Sequence, residues 1–119
     1  MNKPTLYKIY RPSPDGEYVI YLGRTRNNLT KRLRNHFITH HPFQKEIKLC
    51  EGTRIEYAEF DTLADMYVAE IAYINIIKPP LNVEDKAHDE LTLRIDLSQV
   101  EWRKWDKKHL LDKWMGKII

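Results

Sequence analysis

A charged residue lies at the centre of the most apolar helical segment of this chain. Residues 62–77 have a helical pattern that starts after a capping Asp61 or Thr62 and stops at Pro79-Pro80. At about 100° per residue, the apolar side chains form one stripe centred on Glu70. This stripe contains Leu63, Met66, Tyr67, Tyr73, Ile74 and Ile77. A buried, unpaired carboxylate is strongly destabilising, so Glu70 needs a basic side chain, a metal ion or a cleft open to water.

The first 22 residues predict a β-hairpin. Residues 5–10 alternate like a strand, and residues 17–22 are rich in β-branched and aromatic side chains. Between them, residues 12–16 carry the Pro and Asp-Gly signals of a turn. We expect an enlarged hairpin loop at Pro12-Ser13-Pro14.

Helices and a third strand complete the predicted core. Asn28 is a predicted N-cap for a helix from Leu29 to Ile38 or Thr39, and residues 54–60 alternate as a strand. The pattern predicts an α/β fold, a small three-stranded antiparallel sheet flanked by helices. At 119 residues the chain fits one domain. We expect a core at 1–83 and a C-terminal extension at 84–119 that packs on it.

Smaller elements are predicted around and beyond this core. A short helix is expected at 43–49, and residues 83–90 are polar and loop-like. Residues 91–95 predict a short strand, and residues 100–115 predict a helix with apolar surface from three tryptophans. Basic residues alternate with two of those tryptophans, so this helix could contact DNA, although packing on the core is favoured.

The charge of the chain is unevenly distributed. Residues 1–48 carry ten Lys and Arg against three acids, whereas residues 49–101 carry four against twelve. Residues 102–119 are basic again. Basic ends around an acidic middle could face a polyanion, or the charges could only solvate the surface.

Cys50 is the only cysteine, which excludes an internal disulfide and favours a cytoplasmic or nucleoid-associated protein. We interpret it as an inert thiol. No apolar run approaches the roughly 18 residues of a membrane span. We therefore expect no membrane partner.

The helix after Asn28 offers a basic counterpart to Glu70. Arg32 and His36 are separated by four residues and therefore lie on one flank of the helix. Nearby are Arg24, Arg26 and Lys31, with no acid between Arg24 and Arg34. This cluster could receive a phosphate backbone. His40, His41, His88 and His109 lack a metal-ligand spacing.

Several sparse motifs occur in order over residues 4–83. They are Thr5-Leu6-Tyr7, Tyr21-Leu22-Gly23-Arg24-Thr25, Leu29, Arg32, His36, Glu70 and Lys78-Pro79-Pro80-Leu81-Asn82. This ordered set resembles the GIY-YIG nuclease superfamily, which includes a nuclease of bacterial excision repair, phage homing endonucleases and some restriction enzymes.

The motifs depart from the family pattern in three places. Thr5 stands where the first motif has Gly, and Leu22 replaces Ile or Val. Thirteen residues separate Tyr7 from Tyr21, a longer spacing than is usual for the family. Matching Lys8-Ile9-Tyr10 to the first motif would restore the usual spacing, so Tyr7 and Tyr10 are both candidates for the first tyrosine, with Tyr7 preferred.

The resemblance implies a Mg²⁺- or Mn²⁺-dependent DNA endonuclease. Glu70 would be the sole protein ligand of one cation, and Arg32 would hold the scissile phosphate. Tyr21 or Tyr7 would deprotonate the attacking water, with a phenol pKa lowered by Arg32, Arg24 and the metal. If neither pKa is lowered, His36 is the better base.

Supporting roles follow from the same resemblance. Asn82 would hydrogen-bond near the metal or brace the site. Arg24, Arg26 and Lys31 would bind DNA, whose strandedness is left open. We expect the selectivity to be low, to follow DNA shape, or to come from a partner protein that supplies the target.

Three alternatives stay open at this stage. Glu70 could be a structural acid paired with one arginine, for which Arg32 is the candidate. The chain could be a nucleic-acid-binding module that keeps the fold without turnover, or a protein-interaction domain that uses its acidic middle.

Overall fold

The computed structural model describes residues 3–26, 28–37, 54–82 and 91–105, and for residues 34–37 only the backbone. The elements are β1 (Thr5–Ser13), β2 (Gly16–Thr25), α1 (Leu29–Phe37), β3 (Arg54–Glu59), α2 (Leu63–Ile77) and β4 (Arg103–Trp105). The α/β class is confirmed, but the sheet has four antiparallel strands in the order β2-β1-β3-β4 rather than three. The predictions at 43–49, 83–90 and 106–115 lie outside the described residues.

The hairpin is tighter than predicted. Strand β1 runs through Pro12, and Ser13 pairs with Gly16 across a two-residue turn at Pro14-Asp15. Gly16 has φ of 129°, a backbone conformation that side chains disfavour. The predicted enlarged loop is therefore wrong, because longer strands and a bulge at Ile20 take up the extra length.

The two helices cover opposite faces of the sheet. Successive side chains of a strand alternate between faces. Accordingly, Tyr7 and Ile9 pack in a core cluster with Leu29 and Leu33 of α1. Leu6 packs in a second cluster with residues of α2 that include Met66, Ala69 and Ile74. The described residues therefore form two small cores separated by the sheet.

Helix α2 has the predicted bounds. Thr62 is the N-cap, and its hydroxyl accepts a hydrogen bond from Asp65 N at 3.0 Å. At the other end Lys78 adopts the left-handed conformation, with its N–H on Ile74 O. Glu70 is buried as predicted, while Leu63 of the predicted stripe is 36% exposed in the first turn.

The C-terminal predictions at 91–95 and 100–105 are wrong. Residues 91–95 form no strand, and residues 103–105 form β4 on the outer edge of β3 instead of a helix. Unpaired N–H and C=O groups along a strand edge favour strand addition. Trp105 is buried against the α1-face core, and the Lys8 ammonium lies 3.9 Å from the Trp102 ring centroid. None of the described helices is long and apolar enough to cross a membrane.

Candidate active site

A β-bulge sets the direction of Tyr21. Ile9 pairs with Tyr21 and Tyr10 pairs with Val19, so Ile20 is an extra residue in β2. In a bulge two residues oppose one partner, and the strand turns locally to re-aim a side chain. Here Ile20 is buried in the α1-face core, and Tyr21 is partly buried against that core. The bulge therefore brings Tyr21 to the same face as Tyr7.

Gly23 makes room for the two tyrosines. It pairs directly with Tyr7 across the hairpin. A Cβ atom on residue 23 would overlap the Tyr7 ring and would lie 2.7 Å from Cε2 of Tyr21. Without that atom the Tyr7 and Tyr21 ring centroids approach to 6.2 Å, tilted by 51°. Gly23 is thus required because a larger side chain would overlap the tyrosines, and not because of its backbone conformation.

Arg32 joins α1 to the two phenols. The first turn of α1 is held by Asn28, whose side chain accepts from Lys31 N at 2.9 Å and whose carbonyl accepts from Arg32 N at 3.1 Å. The Arg32 guanidinium lies close enough to Tyr7 and Tyr21 to lower the pKa of both phenols. Its Nε is buried and has no hydrogen-bond partner among the described residues. One donor of this arginine is therefore left for a group outside that set.

The tyrosines hold their protons tightly. Burial raises the pKa of Tyr7 far above its ordinary value, the neighbouring Tyr21 raises it further, and Arg32 lowers it only in part. Burial likewise raises the pKa of Tyr21, against the lowering effect of Arg32. Arg32 lowers both pKa values as expected, but the expected net lowering is wrong among the described residues, because desolvation outweighs the arginine. The lowering expected from a metal ion stays a prediction.

Glu70 is paired with Arg24 of β2. Arg24 Nη1 lies 2.6 Å from Glu70 Oε1, and the two side chains are 48% and 6% exposed. The Arg24 guanidinium lies 5.0 Å from the Tyr67 ring centroid, within range of a cation–π contact. The expected contact between Glu70 and Arg32 is therefore replaced by one between Glu70 and Arg24.

The structure nevertheless groups most of the predicted site. The Glu70 carboxylate lies close enough to Tyr7 and Tyr21 to raise the pKa of both phenols, which Arg32 lowers. Arg26 and Lys31 are exposed on the segment that leads into α1 and on its first turn. The His36 side chain lies outside the described residues. Tyr10, the alternative first tyrosine, instead donates a hydrogen bond to Glu56 at 2.7 Å.

Asn82 braces the Tyr21-Leu22-Gly23 segment. Its Nδ2 donates to Leu22 O and its Oδ1 accepts from Leu22 N, both at 2.8 Å. Leu81 N donates to Ile20 O at 3.0 Å. Because β2 is an edge strand, these contacts satisfy groups that no strand covers. Asn82 therefore holds the part of β2 between Tyr21 and Gly23, and both expected roles in an active site stay predictions.

Sequence reasoning missed Arg24 as the partner of Glu70. Arg24 pairs with Leu6 across the hairpin, so it lies on the sheet face that α2 covers. Alternation along β2 could have predicted the sheet face on which Arg24 lies. The bulge, however, means that this face cannot be counted from the residues before residue 21. The sequence instead assigned Arg24 only to DNA, because it follows the motif in a basic run.

The donors present restrict the kind of metal ion that fits. Among the described residues, no group of three or more His, Cys, Asp or Glu could hold a metal ion. Glu70 is a lone carboxylate with one oxygen on Arg24. Mg²⁺ usually keeps several waters and takes one or two carboxylates with substrate phosphate. This donor set therefore fits a mostly hydrated Mg²⁺ or Mn²⁺.

Comparison with known proteins found no match to a family model, to a curated protein or to a solved structure.

Proposed function

We propose that this chain is a divalent-metal-dependent DNA endonuclease with an active site of the GIY-YIG type. One observation carries the proposal: Glu70 is buried, and its partner Arg24 is half exposed. An acid that served only the fold would gain most from a fully enclosed and fully hydrogen-bonded environment. Glu70 is instead paired with a side chain that is itself half exposed.

Glu70 is the residue proposed to hold the cation. A divalent ion bound there supplies charge stabilisation to the phosphate and to the leaving oxygen. The remaining ligands would be water and substrate, as is usual for Mg²⁺.

Arg32 is proposed to bind the scissile phosphate. Its guanidinium is oriented by two phenols, and its Nε donor has no partner among the described residues. A planar guanidinium suits the charge that spreads over phosphate oxygens in the transition state. Tyr7 and Tyr21 then act as protonated groups that position Arg32, and the partly buried Tyr21 is the one that water can reach.

His36 is proposed as the general base. Neither tyrosine has a lowered pKa, so neither is an efficient base near neutral pH. His36 follows Arg32 by one turn of α1, and an imidazole titrates close to neutrality.

DNA is the proposed substrate. Arg26 and Lys31 are exposed, and Arg24 is half exposed on the adjacent strand. Such a group neutralises backbone phosphates and would make the affinity fall as salt is added.

A plasmid-nicking assay tests the proposal. Wild-type chain is expected to nick supercoiled DNA with Mg²⁺ and to lose this activity with chelator. Glu70→Ala is expected to lower the rate by at least about 100-fold, because it removes the metal ligand. The matched control is Glu101→Gln, since Glu101 is 80% exposed on the C-terminal segment. Equal rates for wild type and Glu70→Ala would contradict the proposal.

A second candidate is a nucleic-acid-binding module without turnover. The ion pair between Arg24 and Glu70 and the raised pKa values of both tyrosines favour it. This candidate predicts salt-dependent DNA binding with no nicking under any divalent ion.

A further inference from the structure

Arg24 bridges a buried acid and the solvent. Nη1 is 2.6 Å from Glu70 Oε1, yet nearly half of the Arg24 side chain is exposed while the Glu70 side chain is 6% exposed. Arg24 is also on the edge strand β2, so no other strand covers its outer side. Its guanidinium can leave the carboxylate without disturbing the sheet.

A divalent ion and Arg24 compete for the same carboxylate. Both are cations, and Glu70 is the one acid hydrogen-bonded to Arg24 within the described part of the chain. With both cations at one buried anion, their mutual repulsion is weakly screened. Binding of the ion therefore weakens the contact between Arg24 and Glu70, and the displaced guanidinium needs another anion.

A DNA phosphate is the anion that suits Arg24. A guanidinium binds phosphate through two parallel hydrogen bonds, an arrangement that a carboxylate also accepts. Arg26 follows Arg24 by two residues and is exposed, so a backbone that contacts Arg26 passes close to Arg24.

We infer that Arg24 exchanges Glu70 for a DNA phosphate, so that DNA and the divalent cation strengthen each other's binding. This inference rests on the proposed function. Without DNA, Arg24 blocks Glu70 and keeps the metal affinity low. With DNA, the competitor is withdrawn. Linkage requires the two effects to be equal in size.

Mn²⁺ binding to the full chain without DNA tests the competition. Free Mn²⁺ is followed by electron paramagnetic resonance in wild type, Arg24→Gln and Arg94→Gln. Arg94 is an exposed arginine of the C-terminal segment and matches the charge change. Arg24→Gln is expected to bind Mn²⁺ about tenfold more tightly than wild type, a typical coupling between two sites. Arg94→Gln is expected to stay within about twofold of wild type.

DNA-binding measurements test whether Mn²⁺ strengthens the binding of DNA through Arg24. The affinity for a labelled phosphorothioate duplex is measured by fluorescence anisotropy, with and without Mn²⁺ at constant ionic strength. Wild type is expected to bind about tenfold more tightly with Mn²⁺. Arg24→Gln is expected to bind more weakly, to lose most of the Mn²⁺ effect and to show a salt slope smaller by about one.

The outcomes separate this inference from the proposed function. If Glu70→Gln loses Mn²⁺ binding while Arg24→Gln binds like wild type, the exchange is overturned and the metal site stands. If Glu70→Gln binds Mn²⁺ as well as wild type does, both are overturned. Should Arg24→Gln fail to fold, the wild-type chain still decides, because equal DNA affinity with and without Mn²⁺ overturns the exchange.

Discussion

Two arginine–carboxylate clusters lie at opposite ends of β1 and differ in how completely they are hydrogen-bonded. Near the turn, Arg54 Nε binds Glu17 at 2.6 Å and Nη1 binds Glu56 at 2.9 Å, with the guanidinium 3.8 Å from the Tyr10 ring centroid. Tyr10 also donates to Glu56. At the other end, Arg24 has a ring contact with Tyr67 and, among the residues that the structure describes, one carboxylate partner, Glu70.

The difference separates a structural cluster from a candidate site. Both oxygens of Glu56 accept hydrogen bonds, and burial together with Glu56 raises the pKa of Tyr10 to about 12. Around Glu70, by contrast, the carboxylate is more deeply buried, and Arg32 nearby keeps an unpaired Nε among the described residues. Incomplete hydrogen bonding next to a buried acid is typical of a site that binds a ligand.

The largest expected effect comes from comparing Arg32, near the Glu70 end, with Arg54, in the cluster near the turn. Arg32→Ala is expected to lower kcat for DNA nicking by about 100- to 1000-fold, because it removes the proposed ligand of the transition-state phosphate. Arg54→Ala is expected to leave kcat within about threefold and to lower the melting temperature instead. A similar loss of kcat in both variants would break the distinction between the two clusters.

The two glycines of the hairpin give the next effect. Gly23→Ala is expected to lower the free energy of unfolding by about 2–3 kcal/mol, because its Cβ overlaps the Tyr7 ring. Gly16→Ala meets no atom within 4 Å and is expected to cost about 1 kcal/mol through its positive φ. Urea unfolding measures both. A more damaging Gly16→Ala would show that the tyrosine packing tolerates the extra atom.

Asn82→Leu gives a smaller effect at the site end. It removes both hydrogen bonds to Leu22 on the edge of β2, where water can replace part of the loss. We expect about 1 kcal/mol less stability and a lower kcat, since Tyr21 and Gly23 flank Leu22. Thermal melting and nicking rates check this. An unchanged kcat would show that the edge contacts do not position the site.

The smallest effect is the acid sensitivity of the structural cluster. Burial alone would raise the pKa of Glu56, but hydrogen bonds from Tyr10 and Arg54 outweigh burial and hold the pKa below 4.5. A carboxylate with a depressed folded-state pKa stabilises the fold above its unfolded-state pKa and loses that contribution as pH falls. The melting temperature of wild type should therefore fall more steeply than that of Glu56→Gln as the pH is lowered from about 5 to 3. If the melting temperatures of the two proteins fell in parallel with pH, the stabilising role assigned to ionised Glu56 would be contradicted.

Local signals predicted much of the fold. Asn28 and Thr62 cap helices where expected, the paired prolines follow the end of α2, and the periodicity around Glu70 predicted its burial. These features depend on neighbours within one or two turns of the chain.

Features set by distant residues were not predicted. Strand β4 depends on the free edge of β3, and residues 91–95 form no strand although their local pattern predicts one. The Ile20 bulge shifts the parity of β2, and this parity places Arg24 on the sheet face where it contacts Glu70. A one-residue shift moves side chains to the other face of a strand.

Diffraction from crystals grown with Mn²⁺ and a phosphorothioate DNA duplex tests the central claim most directly, since Mn²⁺ is located by its anomalous scattering. We predict an anomalous peak about 2 Å from a Glu70 carboxylate oxygen, with Arg24 on a DNA phosphate and Glu56 still on Arg54. An ordered Glu70 still hydrogen-bonded to Arg24, with no Mn²⁺ beside it, would contradict the account.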